Sequence, residues 1–372
     1  MKTRSLKLWL AAAATIPLLT IAAVAQSVST SLAGLPEADV IIYVNPQRLL
    51  NEAAPRVMTA KDFTEMRATF ADMKKSVGFD PSSVEYLVLA LRFHKPAGDL
   101  SFVAPDVLVV AGGDFSAESL LSLAELTLQD KVRLEKHGTK SIALMKVDPI
   151  AAQVEKYPLL QSLSEIGAVS LSGNSLAIGN LSYLKSAIDA SEGTGRVNPA
   201  TLASLLRDPN VLMAATGTPL TSFAKAFGLF GTATAPRDNG CQSQFGNFYM
   251  ALTLSEKSFN VRGAMNADNP DTAKILVSLM SGLLQQGLSA TPENEPAGAT
   301  EAIKALGDVS QETYTIFKSL KLSPQGNEVV WQADIADRLI ADIYAPKKPE
   351  KPATPKTPPP RRPVRKKRTN RM

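Results

Sequence analysis

The chain has 372 residues, 45% of them hydrophobic and 20% charged, with 40 Lys/Arg against 35 Asp/Glu, two His and one Cys. That length supports a large core and more than one folding unit, while a single cysteine excludes an intrachain disulfide framework. Two histidines, His94 and His137, with no Cys or acidic partner at zinc-type spacing argue against a transition-metal centre, and no cofactor is expected.

Lys2, Arg4 and Lys7 precede an apolar run from Leu8 to Ala22, and Ala23-Val24-Ala25 follows as a small-x-small cleavage site. The expectation is a signal peptide over 1–25 and export to the periplasm or cell envelope. An uncleaved N-terminal anchor is the alternative, although the run is alanine-rich, broken by Pro17 and short for a bilayer span. After cleavage no transmembrane helix is expected. Residues 26–34 are Ser/Thr/Ala-rich and read as a short leader.

Val40–Val44 is a run of five apolar residues, suited to a strand buried on both faces, and Asn45-Pro46 is an N-cap followed by a proline at the first helical position. The same strand, cap and proline order recurs at Asp148-Pro149, Thr218-Pro219 and Asn269-Pro270. Without the proline it recurs at Asp114, Asn180 and Asp334. A helix is expected over about 61–77, since Phe63, Met66, Phe70, Met73 and Val77 fall at alternating steps of three and four, and Gly78 ends it. That stripe reads as core-facing. Asp80-Pro81 then turns the chain into a strand over 84–91.

Strand 107–110 leads through Ala111-Gly112-Gly113-Asp114 into a helix ending near Leu128. Hairpins are expected over 132–147 around His137-Gly138-Thr139, and over 168–178 around Gly173-Asn174. A short helix after Asn198-Pro199 marks the seam between an N-terminal half, 35–207, and a C-terminal half, 208–346. The second half repeats the order: a strand over 211–215, a helix around Phe223 and Phe227, and a small-residue loop with Cys241. A hairpin over 249–263 follows, then a long helix from Pro270 with Leu276, Leu279, Leu283 and Leu284 on one stripe. Asp308 and Gln311 form a capping box for a helix through Phe317, and a hairpin around Gln325-Gly326 feeds a helix over 335–343. Hairpins mixed with strand-to-helix junctions predict an α+β fold: two related halves, mixed or mainly antiparallel sheets, and helices on one face.

Reactive constellations are sparse. Gly112-Gly113 before a helix faintly suggests a phosphate turn, but no G-x-G-x-x-G or G-x-x-x-x-G-K-[ST] occurs. Ser182-x-x-Lys185 and Ser222-x-x-Lys225 match the S-x-x-K of penicillin-recognising enzymes. The companion Ser172-Gly173-Asn174 precedes rather than follows the first, and no K-T-G is present, so the lysines read as solvated helix faces. No G-x-S-x-G elbow occurs, and Glu155 and Glu165 have no sequence reason to meet. His137 reads as a turn residue and Cys241 as a small, partly buried one.

The tail constrains partners. Residues 347–372 hold eleven Lys/Arg and one acid, whereas residues 26–346 hold 26 bases against 34 acids. A Pro/Lys/Arg-rich tail is expected to be disordered with polyproline-II character, carried by an acidic body. Arg361, Arg362, Arg365, Lys366, Lys367, Arg368 and Arg371 are the candidate polyanion-binding residues. In an exported protein the available partners are anionic envelope polymers, a lipid surface or another envelope protein. The lack of interleaved aromatics argues against nucleic acid. The bland reading is a tail that serves solubility only.

Leu35-Pro36-Glu37-Ala38-Asp39, the apolar strand after it and Arg48-Leu49-Leu50-Asn51-Glu52-Ala53-Ala54-Pro55 resemble the start of uncharacterised exported bacterial proteins. Those carry a signal peptide and an α+β domain of unknown function, and the resemblance implies no catalytic residue. The expectation is therefore a non-enzymatic binding or scaffold protein of the envelope. The alternative is an envelope hydrolase or transferase whose site is assembled from residues distant in sequence.

Overall fold

The computed structural model describes residues 32–94, 105–128, 131–146, 165–208, 210–217, 245–289, 315–316 and 318–344. Its backbone is one twelve-stranded antiparallel sheet in the order β11-β12-β10-β9-β8-β1-β2-β3-β7-β6-β5-β4. The first half supplies β1 (Val40–Val44), β2 (Val84–Arg92), β3 (Asp106–Gly113), β4 (Val132–His137), β5 (Lys140–Lys146), β6 (Glu165–Ser172) and β7 (Ser175–Gly179). The second supplies β8 (Val211–Gly217), β9 (Phe245–Leu254), β10 (Ser258–Ala267), β11 (Lys321–Gln325) and β12 (Glu328–Ala336).

The α+β class and the relation between the halves are both visible in this order. In the first half β1, β2 and β3 are neighbours, and the hairpin β6-β7 returns so that β7 lies beside β3. In the second, β8, β9 and β10 are neighbours, and the hairpin β11-β12 returns so that β12 lies beside β10. The halves meet where β1 pairs with β8, and among the described residues β4-β5 is an addition without a counterpart. The two expected sheets are thus one.

Local chemistry sets the junctions. Asn45 is extended (φ −101°, ψ 94°) and its side chain accepts the Arg48 N–H at 3.0 Å, capping α1 (Pro46–Arg48). A π turn (Leu49–Ala53) and α2 (Ala54–Val57) follow. Thr59 caps α3 (Ala60–Val77), which ends at Gly78 in the left-handed region, φ 70°. After β3 come α4 (Ala117–Leu128), α5 (Leu181–Ser191) and α6 (Pro199–Leu205), the last capped by Asn198. In the second half Asn269 Oδ1 accepts from Asp271 N and Thr272 N at 3.1 and 2.9 Å, starting α7 (Pro270–Ser289), and α8 (Asp337–Tyr344) closes the described chain. Among the described residues no helix is long and apolar enough to cross a membrane.

Helices divide between the two faces of the sheet. Ile41 and Tyr43 point into a core with Tyr183, Leu184, Ala187 and Ile188 of α5, joined by Leu202 and Leu205 of α6. Val40 and Ile42, one pleat away, point into the opposite core with Ala273 and Leu276 of α7. That second face also takes α8 and the π turn, through Leu339, Ile340 and Ala53. The placement on a single face expected from the hairpin pattern is thus refined: α5 and α6 cover one side, α7 and α8 the other.

One transverse row organises this second face. From β11 to β8 it runs Leu322, Trp331, Gly263, Met250, Ala215. It continues through Ile42, Leu89, Val109, Ile178, Ala168 and Ala143 to Leu134 on β4. Every strand contributes one member, and none is polar. Directly opposed residues on one face are the contacts that hold an antiparallel sheet.

Several local expectations give way to packing. Gly112 and Gly113 lie inside β3 rather than in a turn. A Cβ on Gly112 would stand 2.2 Å from the Tyr86 ring, and one on Gly113 would stand 2.2 Å from Ser83 O, so close approach explains both. Asp334 does not cap a helix: β12 continues to Ala336, and Asp334 Oδ1 accepts from Asn260 Nδ2 at 2.7 Å across the ladder. The α3 stripe is not core, since no residue of that helix is buried and Met73 and Val77 are 37% and 44% exposed. On α7 the inward face is Ala273, Leu276, Val277 and Met280, and Leu279 is turned out at 57% exposure.

Candidate functional site: an apolar cavity beneath α7

The site grows out of the alternation in β12. Trp331, Ala333 and Ile335 share the face that carries α7 and α8, and Val261 of β10 stands opposite Ala333. Trp331 lies against Gly263, where any Cβ would come within 2.2 Å of the indole; the missing side chain lets the ring lie flat on β10. Leu322 of β11 flanks Trp331 directly. Met280 of α7 and Ile316 and Leu320, from the chain entering β11, complete the wall.

These eight side chains line an open-mouthed cavity of about 250 Å³, and no other described residue adds a polar side chain to the lining. Volume and chemistry together limit what enters. A cavity of ~150 Å³ accepts a benzene ring and stays dry without it, whereas drug-sized ligands need ~300–1,000 Å³. The space therefore suits one ring or a short alkyl segment. Among the described residues the wall carries no acid, base or nucleophile for proton transfer.

A second concavity, about 450 Å³, separates α3 from the π turn and the start of β2. Leu50, Met66 and Phe70 form its floor. Its rim is self-satisfied: Arg67 donates to Asn51 Oδ1 at 3.3 Å, and Lys74 bonds Asp80 at 3.0 Å. The Ser82 hydroxyl, Lys74 and the Ser82 N–H together hold the Asp80 carboxyl down at about 2. Both rim cations in the lining, Arg67 and Lys74, thus already have partners within the chain.

Several other titratable groups serve the scaffold. Asp106 accepts from Arg92 at 2.7 Å, His94 at 3.1 Å and Ser182 at 3.1 Å. Burial alone would raise its carboxyl, but these three bonds outweigh it and leave the group below its ordinary range. The Arg92 guanidinium also stacks on Tyr183, 4.5 Å from the ring centre, and the Tyr183 hydroxyl donates to Glu37 O at 3.0 Å. Burial pushes that phenol above its usual range.

The Ser182-x-x-Lys185 tetrad is pulled apart by these partners. Ser182 turns to Asp106 on β3, whereas Lys185 bonds Glu135 on β4 at 2.6 Å. That contact, with Arg133 behind it, lowers the Glu135 carboxyl. His137 does sit at a hairpin turn, and its Nε2 lies 2.8 Å from Asp189 Oδ1 on α5. Glu165 pairs with Arg133 at 3.1 Å. Among the described residues no three His, Cys, Asp or Glu side chains gather as a metal would need. Asp148, Glu155, Ser222, Lys225, Cys241 and the seven candidate polyanion-binding residues from Arg361 to Arg371 lie outside the described residues.

No protein-family model and no curated protein matches this chain. The fold is similar to solved structures of TP0453. Its crystal form III superposes with a TM-score of 0.45 at 10% identity, covering 84% of this chain and 96% of that one. Crystal forms I and IV give TM-scores of 0.41 and 0.43 at 11% and 9% identity, covering 84% of this chain and 95% of each of theirs.

Sequence reasoning missed the cavity. The available signal was the alternation Val329, Trp331, Ala333, Ile335 opposite a strand containing Gly263. A glycine facing a tryptophan on a neighbouring strand marks a place where a ring lies on backbone and the layer above is held off.

Proposed function

We propose that this chain is an exported, non-enzymatic binding protein of the cell envelope, holding a small apolar group in the cavity beneath α7. The basic tail, with Arg361, Arg362, Arg365, Lys366, Lys367, Arg368 and Arg371, is its tether to an anionic envelope surface or partner. The export signal and tail composition support the location. The observation that carries the binding role is the lining itself: eight apolar side chains and, among the described residues, no titratable group around about 250 Å³.

Trp331 makes the reading testable, because the chain has two tryptophans and the other is Trp9. In a Trp9→Phe background, titration with toluene gives a saturable change in Trp331 emission. Ala333→Leu, which fills the cavity from its floor, abolishes that response while the far-ultraviolet circular dichroism stays unchanged. A response that persists in Ala333→Leu, or none in the parent protein, defeats the proposal. For the tether, deletion of 347–372 releases the protein from envelope fractions at low salt; unchanged fractionation removes that part.

A further inference from the structure

The sheet is open, and its two edges are built differently. The β11 edge is five residues long and carries Lys321 and Pro324, both exposed, and proline has no N–H to offer a neighbour. The β4 edge is six residues long without proline, and among the described residues no strand lies outside it.

The hairpin fixes which backbone groups of β4 face outward. Gly138 (φ 56°) and Thr139 form a two-residue turn closed by the pair His137↔Lys140. In such a hairpin the closing pair is hydrogen-bonded, and bonded pairs then alternate along the ladder. Arg133, Glu135 and His137 thus bond inward to β5, while Val132, Leu134 and Lys136 direct N–H and C=O groups out. Leu134 is 56% exposed and ends the apolar row that crosses all twelve strands.

We infer that β4 is a homodimer edge, pairing antiparallel with β4 of a second copy about a twofold axis at Leu134. This register satisfies three independent conditions. Leu134 meets its symmetry mate as a hydrogen-bonded pair, so about six outward backbone bonds form. The apolar row continues into the second copy without a break. On the opposite face Arg133 stands across from Glu135 of the other copy, twice by symmetry and in the closer, non-bonded pairing. The next twofold register puts Glu135 against Glu135 and Leu134 against Lys136, and is rejected by like charge. In the favoured register Lys136 opposes Val132, its stem lying along apolar surface and its amine in solvent.

Sedimentation equilibrium on the full chain, over micromolar concentrations, tests the register. The parent protein is a dimer. Arg133→Glu and Glu135→Arg each create two like-charge pairs, and each weakens association about tenfold or more. An equimolar mixture of the two variants restores a dimer, because an acid of one chain then faces a base of the other in both symmetry-related pairs. Leu134→Pro removes one outward N–H, leaves the β4–β5 ladder intact and gives a folded monomer. A monomeric parent, single variants that remain dimeric, a mixture that stays monomeric, or an undiminished Leu134→Pro dimer each overturn the inference.

Discussion

Ala177 and Ala333 occupy the same place in the strand order of the two halves, on opposite faces of the sheet. Each lies four residues before a helix, on the strand that returns beside the third of its half, opposite Val110 and Val261 respectively. Ala177 is fully buried in the core with Tyr183, Leu184 and Ile188. Ala333 is almost as buried, but it forms the floor of a cavity. The same strand position is covered by a helix on one face and borders a cavity on the other. In the second half Trp331 lies on Gly263, and with Met280 of α7 it borders the opening.

The sharpest contrast comes from deleting a ring in each half. Tyr183→Ala empties the closed core and strips Arg92 of its stacking surface, at a cost of about 3–5 kcal/mol in chemical denaturation. Trp331→Ala removes a ring that already borders a void and is partly exposed, so its cost is about 1–2 kcal/mol. Equal losses would erase the distinction between a closed and an open half.

Asp106→Asn comes next, lowering stability by about 1–3 kcal/mol because Arg92 loses its ionic acceptor in a half-buried site. Its pH signature carries a definite sign. The folded carboxyl titrates below its ordinary value, so its stabilisation is present at neutral pH and fades as pH falls below about 4. Asp106→Asn removes that part of the acid limb and leaves the neutral-to-alkaline region flat. An acid limb of unchanged depth in the variant would deny Asp106 this role.

The smallest effects are the most diagnostic. Ala177→Leu overpacks a full core and costs about 1–3 kcal/mol, whereas Ala333→Leu enters empty space and leaves stability within about 1 kcal/mol. Destabilisation of the same size at both positions would mean that the second half is as tightly closed as the first.

Much of the scaffold was legible in the sequence because it is set locally. Asn45, Asn198 and Asn269 cap helices as their side chains and the following prolines demand. The turns at Gly138 and Gly326 follow from residues that accept positive φ. What failed depends on the layer above. The three-four stripe of α3 gives a helix, yet nothing in 60–77 says that the helix stands off the body. Asp334 has the chemistry of a cap, and cross-strand pairing with Asn260 claims it instead. Leu279 has the hydropathy of a core residue, and the phase of α7 turns it to solvent. The cavity was hardest of all, since it consists of space between Met280, Trp331 and Ile335, residues that are ordinary one at a time.

Diffraction from crystals of the full-length protein pressurised with xenon tests most directly for an accessible, dry apolar cavity in the second half, because xenon enters such cavities without needing a polar partner. A xenon atom is expected between Trp331, Val261 and Met280, and none there in Ala333→Leu crystals treated alike. Xenon bound only elsewhere, or ordered water filling that space, would contradict it.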